Sequence, residues 1–470
     1  MKNESKKRVT PQLPRSPINR RETQTVSDYS GFLTIRLRPG VVSNNARSLD
    51  EVAERFALRE IATLLKKYNL PSQRLVTSLS VEQLLELEGR TPQSEFEPLH
   101  SMTSYWRLDA RQLRKPLDEV LLEFRALHRD EVDFVYLEKS ASEPAVNPGD
   151  DTFAKEQRYL NAAPDGIDAR SAWDKGGDGA GMHFIDLERG WFLGHEDLPA
   201  TTLICNCNHR FPDRRDHGTA VLGVVAGVDN NLGIVAIAPK LKSVRVVSRF
   251  RADSCKEGHK DETCQGLIGD DMLIADAICA AIWATPRPHV LLLEVQRGVP
   301  ELPTETDDAD FKAIQRAVRN GVIVIEAAGN GKQNLDNWLT ADSGAILVGA
   351  ALSALPHDRL NVSNFGSRVD CYAWGEGIVS AGFGDLSHVA GDDNTTYTAT
   401  FGGTSGASAI IAGAALLVQG LHLKKRDSLL SPEQMRSILS ATGTPQGPTT
   451  TLENIGVMPD LRRIIQTLGL

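Results

Sequence analysis

Three short runs are apolar at nearly every position: HVLLLEV at 289–295, VIVIEAA at 322–328 and AILVGAA at 345–351. A half-exposed strand alternates apolar and polar residues, whereas a strand that is apolar throughout must be covered on both faces. An amphipathic helical pattern, DADFKAIQRAVRNG at 308–321, separates the first two runs. Buried strands joined by helices imply parallel pairing with the crossover helices laid on the faces of the sheet. Residues 158–470 are therefore expected to form an α/β domain around a mainly parallel sheet. Such sheets bind their ligands beyond the carboxyl ends of the strands, and Asp186, Glu294 and Asn330 fall at or near such ends.

The preceding residues read differently. FLTIRL, MTSYWRLDA and VDFVYLEK have strand patterns. LDEVAERFALREIATLLKKY reads as one amphipathic helix over 49–68, with LSVEQLLELE and PLDEVLLEFRAL as further helices. Residues 29–140 thus predict a small α/β sandwich. Residues 1–28 read as a polar, disordered arm, and residues 141–157 as a Pro-, Gly- and Asp-bearing linker.

Composition narrows the functional classes. A net charge of -9 argues against nucleic acid as the main partner. No apolar run approaches 18 residues, so no membrane span is expected. The basic N-terminus has no apolar core, so a secretory signal is not read there and a cytoplasmic location is expected. Six cysteines among 470 residues suggest reduced thiols. Cys205 with Cys207, or Cys255 with Cys264, would pair if the chain were exported. Cys205, Cys207 and His209 do not have a standard zinc-ligand spacing and read as part of a polar loop, so no metal site is assigned.

The stretch GGTSGASAIIAGAAL at 402–416 places a serine among small residues at the start of an apolar helix. Alone, Ser405 reads as a helix cap or as a nucleophile facing a positive helix end. A serine nucleophile needs an imidazole near neutral pH and a carboxylate to orient it. HGTAVLGVVAG offers His217, FIDLERG offers Asp186, and AAGN offers Asn330 as an amide donor for an oxyanion. Four segments thus carry Asp, His, Asn and Ser in order, each at an element boundary.

With HGTAV around the histidine, GTSGASAIIAGAAL around the serine, AAGN, DNNLGIVAIAP and VSNFGSRVDCYAWGEGIVSA, residues 158–465 resemble the subtilisin-like serine peptidases. The resemblance implies a three-layer fold with a mainly parallel sheet, preceded by a ferredoxin-like prodomain at residues 29–140. It implies a catalytic triad of Asp186, His217 and Ser405, with Asn330 and the Ser405 N–H as oxyanion hole. The expected substrate is a polypeptide, with the chain's own N-terminal domain as inhibitor and no cofactor in the chemistry. Calcium steadies many relatives, and no acidic loop is assigned to it from sequence.

The chain departs from that pattern in places. Glu294, Val295, Gln296 and Arg297 replace small residues along the expected wall of the substrate cleft. Asp186 is followed by Leu187 and Glu188, where the family has a small residue and then Gly. Glu294 and Glu326 on neighbouring strands would form a carboxylate pair that reads a basic substrate residue. The alternative is that both bind Arg297 or backbone donors. An alternative function, a catalytically weak scaffold that binds peptides, rests on the altered cleft strand. An α/β-hydrolase esterase is disfavoured, because the serine lies in Gly-Thr-Ser and not in a Gly-x-Ser-x-Gly elbow.

Overall fold

The computed structural model describes residues 29–38, 41, 46–90, 101–113, 115–127, 131–139, 146–204, 212–249, 274–287, 289–448 and 453–470. The expected disordered arm, and Cys205, Cys207, His209, Cys255 and Cys264, lie outside the described residues. The chain divides into two compact units, Met1–Glu143 and Pro144–Leu470.

The first unit runs β1 (Tyr29–Leu37), α1 (Leu49–Arg55), α2 (Arg59–Tyr68), β2 (Ser72–Arg74), α3 (Val81–Arg90), β3 (Tyr105–Asp109), α4 (Leu117–Arg125) and β4 (Val132–Lys139). Its four strands form one antiparallel sheet in the order β2-β3-β1-β4, the order of a ferredoxin-like sandwich. Leu33, Ile35, Trp106, Leu108 and Phe124 are fully buried in its own core. The helix expected over 49–68 is broken into α1 and α2. In an unbroken helix Leu58 would lie about half a turn away from Leu49. The break, with Ala57 at a φ of 53°, turns Leu58, Ile61 and Leu65 toward the same core as Leu49 and Val52.

The second unit begins before residue 158. Within the stretch expected as linker, the Phe153 N–H donates to the Gly233 carbonyl at 2.6 Å. Gln157 exchanges hydrogen bonds with the backbone of Val235. Its elements are α5 (Ala169–Trp173), β5 (His183–Glu188), β6 (Thr201–Ile204), α6 (Pro212–Ala226), β7 (Ser243–Ser248), α7 (Ile274–Ala284), β8 (His289–Leu293), β9 (Gln296–Arg297), β10 (Leu302–Pro303), α8 (Asp308–Arg319), β11 (Ile323–Ala327), β12 (Ile346–Ala351), β13 (Cys371–Trp374), β14 (Ile378–Ala381), β15 (Ser387–Val389), β16 (Asp392–Phe401), α9 (Gly403–Arg426), α10 (Pro432–Ala441), β17 (Gly443–Pro445), β18 (Val457–Pro459) and α11 (Leu461–Leu468).

The central sheet has nine strands in the order β17-β18-β13-β12-β11-β8-β5-β7-β6 and is parallel except at the β17–β18 pair. Successive side chains on a strand point to opposite faces. Phe184, Leu292 and Ile325 pack with the residues of α6 and α9. Leu187, Leu293 and Val324 pack with those of α7 and α8. Both faces are covered, which is why these strands read as continuous apolar runs. Helix α9 is long and apolar enough to cross a bilayer, but 89% of its most apolar window is buried inside the fold.

Candidate active site

Strand β5 runs on to Glu188, one side-chain repeat beyond Asp186. Residues two apart on a strand share a face, so both carboxyls point toward α6 and α9. They meet different partners. The Glu188 carboxyl contacts Nδ1 of His217 and accepts the Arg189 N–H at 2.7 Å. Asp186 accepts the indole N–H of Trp191 at 2.7 Å. The expected Asp186–His217 pairing is therefore corrected: the carboxylate at the imidazole is Glu188. The strand extends further than expected, and its terminal acid is the one that reaches α6.

The charges follow these contacts. Asp186 is fully buried. Burial, and then the neighbouring Glu188 charge, push its carboxyl well above the usual carboxylate range. Burial also raises Glu188, but the His217 charge and hydrogen bond and the backbone and charge of Arg189 outweigh it and hold Glu188 below its ordinary value. The two carboxyls are thus shifted in opposite directions, the one bonded to an indole upward and the one beside the imidazole downward.

The Gly and Thr after His217 fix the helix that carries it. A Cβ on Gly218 would lie 2.5 Å from the Gly190 carbonyl oxygen and 2.6 Å from Trp191 Nε1. Only glycine lets α6 approach the turn that follows Glu188. Thr219 then accepts the Phe192 N–H at 2.9 Å and ties the helix to the same turn.

Ser405 stands in the first turn of α9. Gly403 has a φ of 71°, in the left-handed region that glycine adopts readily. Asn330 follows β11 and faces this turn. Its side-chain carbonyl accepts the N–H of Thr404 at 3.0 Å and the Thr404 hydroxyl at 3.1 Å. That orientation leaves the amide NH2 on the open side, where it donates to Gln296 Oε1 at 3.4 Å; the Asn330 N–H donates to the same oxygen at 3.2 Å. Ser405, His217, Glu188, Asn330, Glu294 and Gln296 all line one cleft of about 240 Å³. The fold therefore brings Ser405, His217 and Asn330 to one cleft with Glu188.

Among the cleft candidates, Val295 also lines the cavity. Arg297 is turned elsewhere, in ion pairs with Asp307 and Asp310. Its strand β9 pairs with β10, so this short edge is occupied by the chain itself. The expected pairing of Glu294 with Glu326 is overturned. Ile325 faces α9, so Glu326 points to the opposite face of the sheet, where it accepts the Glu305 N–H at 3.1 Å. Glu294 is on the α9 side, where its Oε1 is hydrogen-bonded to the Ser408 hydroxyl at 2.5 Å. The reading that both bind Arg297 fails too, while backbone donation holds for Glu326.

Two features went unread in the sequence. The signal for Glu188 was present: Gly190 stands two places after it, as the family's glycine follows its acid. The second is an acidic cluster built by two loops distant in sequence. Asp150, Asp151 and Asp229 bring ligand oxygens within 4.8 Å of one another. Asp151 is 5% exposed, and neither of its carboxylate oxygens has a hydrogen-bond partner among the described residues. Burial and the Asp229 charge push it up to about 6. Buried, unpaired carboxylate oxygens in a cluster fit a hard cation such as Ca²⁺, which these three residues would hold.

The sequence profile of the Subtilase family, peptidase S8, matches residues 206–457, more than half of the chain. The match begins after β5, the strand on which the acid departs from the family pattern. Subtilisin DY of Bacillus licheniformis is 29% identical over 241 residues, covering 50% of this chain and 73% of that protein. An extracellular protease of Xanthomonas campestris is 27% identical over 332 residues, covering 62% of this chain and 52% of that protein; the chain spans about half of that relative's length. The solved structure of proteases from Pseudoalteromonas arctica is covered over 99% of its chain and 68% of this one, at 23% identity and a TM-score of 0.50, a likeness of fold. The class so defined is that of the serine-type endopeptidases. Within that class, the chain belongs to the subtilase family.

Proposed function

We propose that the chain hydrolyses peptide bonds by acyl transfer through Ser405, His217 and Glu188, with Asn330 at the oxyanion. Ser405 Oγ attacks the scissile carbonyl and gives its proton to His217. His217 passes that proton to the leaving amine, and a water molecule activated by the same imidazole releases the acyl group. Glu188 fixes the imidazole tautomer and balances its charge when it is protonated. The Asn330 amide donates to the oxygen on which negative charge develops, so a substrate displaces Gln296 Oε1 from that amide as it binds. The observation that carries this reading is the contact of the Glu188 carboxyl with His217 Nδ1 in the cleft that Ser405 and Asn330 also line. A carboxylate at the imidazole is what a histidine base requires, and Asp186 is bonded to Trp191 instead.

The test is intact-mass analysis after treatment with a fluorophosphonate probe. One adduct on the wild type, absent from Ser405→Ala, is the expected outcome. A folded wild type that takes no probe, also when residues 1–143 are removed, would favour the peptide-binding scaffold instead.

A further inference from the structure

Glu294 has no role in the mechanism above, yet its side chain lies in the cleft beside the nucleophile. It follows the buried end of β8 and is 5% exposed. Its carboxyl stands 2.5 Å from Ser408 Oγ and lines the same cleft as Ser405, one turn earlier on α9. Its second oxygen, Oε2, has no hydrogen-bond partner among the described residues.

A proton count on Ser408 is informative. Its hydroxyl carries one hydrogen and has two acceptors in reach, Glu294 Oε1 at 2.5 Å and the Ser405 carbonyl at 3.0 Å. An ionised Glu294 and the helix carbonyl compete for that one hydrogen, whereas a protonated Glu294 can donate to Ser408 and leave the Ser408 hydrogen to the carbonyl, so a proton on Glu294 fits both contacts. The surroundings agree. From β5, the Asp186 and Glu188 carboxyls face Glu294; from α6, His217 faces it, already paired with Glu188. Arg189 and Arg249 line the same cleft. Burial comes first, and the two β5 acids add to it, in raising Glu294 well above its ordinary value against the serine hydroxyls that lower it.

We propose that Glu294 is a positioning residue for Ser405 and that its carboxyl must carry a proton for acylation. This rests on the acyl-transfer reading of the site. Protonated, Glu294 leaves the Ser405 hydroxyl hydrogen free to point at His217. Ionised, it competes for that hydrogen and sets an anion beside the oxygen that gains negative charge in the transition state. The sign follows: activity is present below the Glu294 pKa and lost as pH rises through it.

The experiment is the rate of fluorophosphonate labelling across neutral to alkaline pH, for wild type, Glu294→Gln and Ser408→Ala, with melting curves at each pH. The wild-type rate should fall at least tenfold on the alkaline side. Glu294→Gln, which cannot ionise, should lack that limb. Ser408→Ala removes a donor to the anion and should move the limb to higher pH. A purely structural role would lower melting temperature or scale the whole profile without removing one limb. A flat wild-type profile, or a limb retained in Glu294→Gln, overturns the proposal. The infrared difference spectrum of wild type against Glu294→Gln at neutral pH reads the proton directly. A carboxylate band in place of the protonated C=O stretch also overturns it. If the folded wild type takes no probe at any pH while the protonated band is present, it is the acyl-transfer reading that has failed.

Discussion

At the scale of single residues, two carboxyls only two positions apart are shifted in opposite directions from their ordinary values. Asp186 and Glu188 share a strand face, but one ends at an indole N–H and the other at an imidazole. That difference separates their expected effects on catalysis. Glu188→Ala should lower kcat by on the order of 10³–10⁴, the cost of removing the anion that orients a catalytic histidine. Asp186→Asn keeps the size of the side chain and an acceptor for Trp191, and should change kcat by less than about tenfold. Peptide hydrolysis by the two purified variants, matched for melting temperature, checks this. If Asp186→Asn is the severely impaired variant, the assignment of Glu188 is wrong. The sequence order of Ser405, His217 and Asn330 was legible because each sits in a distinctive string of small residues. The acid was misread because Asp186 stood where the apolar run FID was expected to end, although Gly190 follows Glu188 at the family's spacing; the longer strand brings Glu188 to α6.

At the scale of elements, the strand faces explain why Glu294 and Glu326 never meet. The 2-residue period was available in the sequence, but neighbouring strands suggested proximity before their register could be assigned. Loops were less legible. Asp150 and Asp151 precede the sheet, whereas Asp229 follows α6, and no pattern linked them before folding. Because Asp151 is buried with unpaired oxygens, a bound cation would relieve an unfavourable charge in the folded state. Millimolar Ca²⁺ should therefore raise the melting temperature of the wild type by several degrees. Asp151→Asn should lose most of that increment, and differential scanning calorimetry with and without a chelator would measure it. An equal rise in both proteins would remove these residues from consideration as the cation site.

At the scale of the whole molecule, the first unit has its own closed sheet and its own core around Trp106 and Phe124, separate from that of the second. A unit with its own core is expected to fold as a separate polypeptide. We propose that it restrains the peptidase unit. Residues 29–143 added in trans to folded residues 144–470 should then inhibit peptide hydrolysis in a saturable manner. A soluble, folded first unit that leaves the rate unchanged at high excess would show that restraint is not its role.

The sequence by itself determined the division into two units, the covered parallel sheet and the placing of Ser405, His217 and Asn330, because periodicity and small-residue strings are local consequences of burial and close approach. Tertiary structure decided which acid meets the histidine, which glutamate stands beside the serine and which aspartates converge. Those outcomes depend on where a strand stops and on which face it presents to helices that are distant in the chain. Local patterns carry neither distance nor facing, so these pairings are settled only when the sheet and its two helical layers come together.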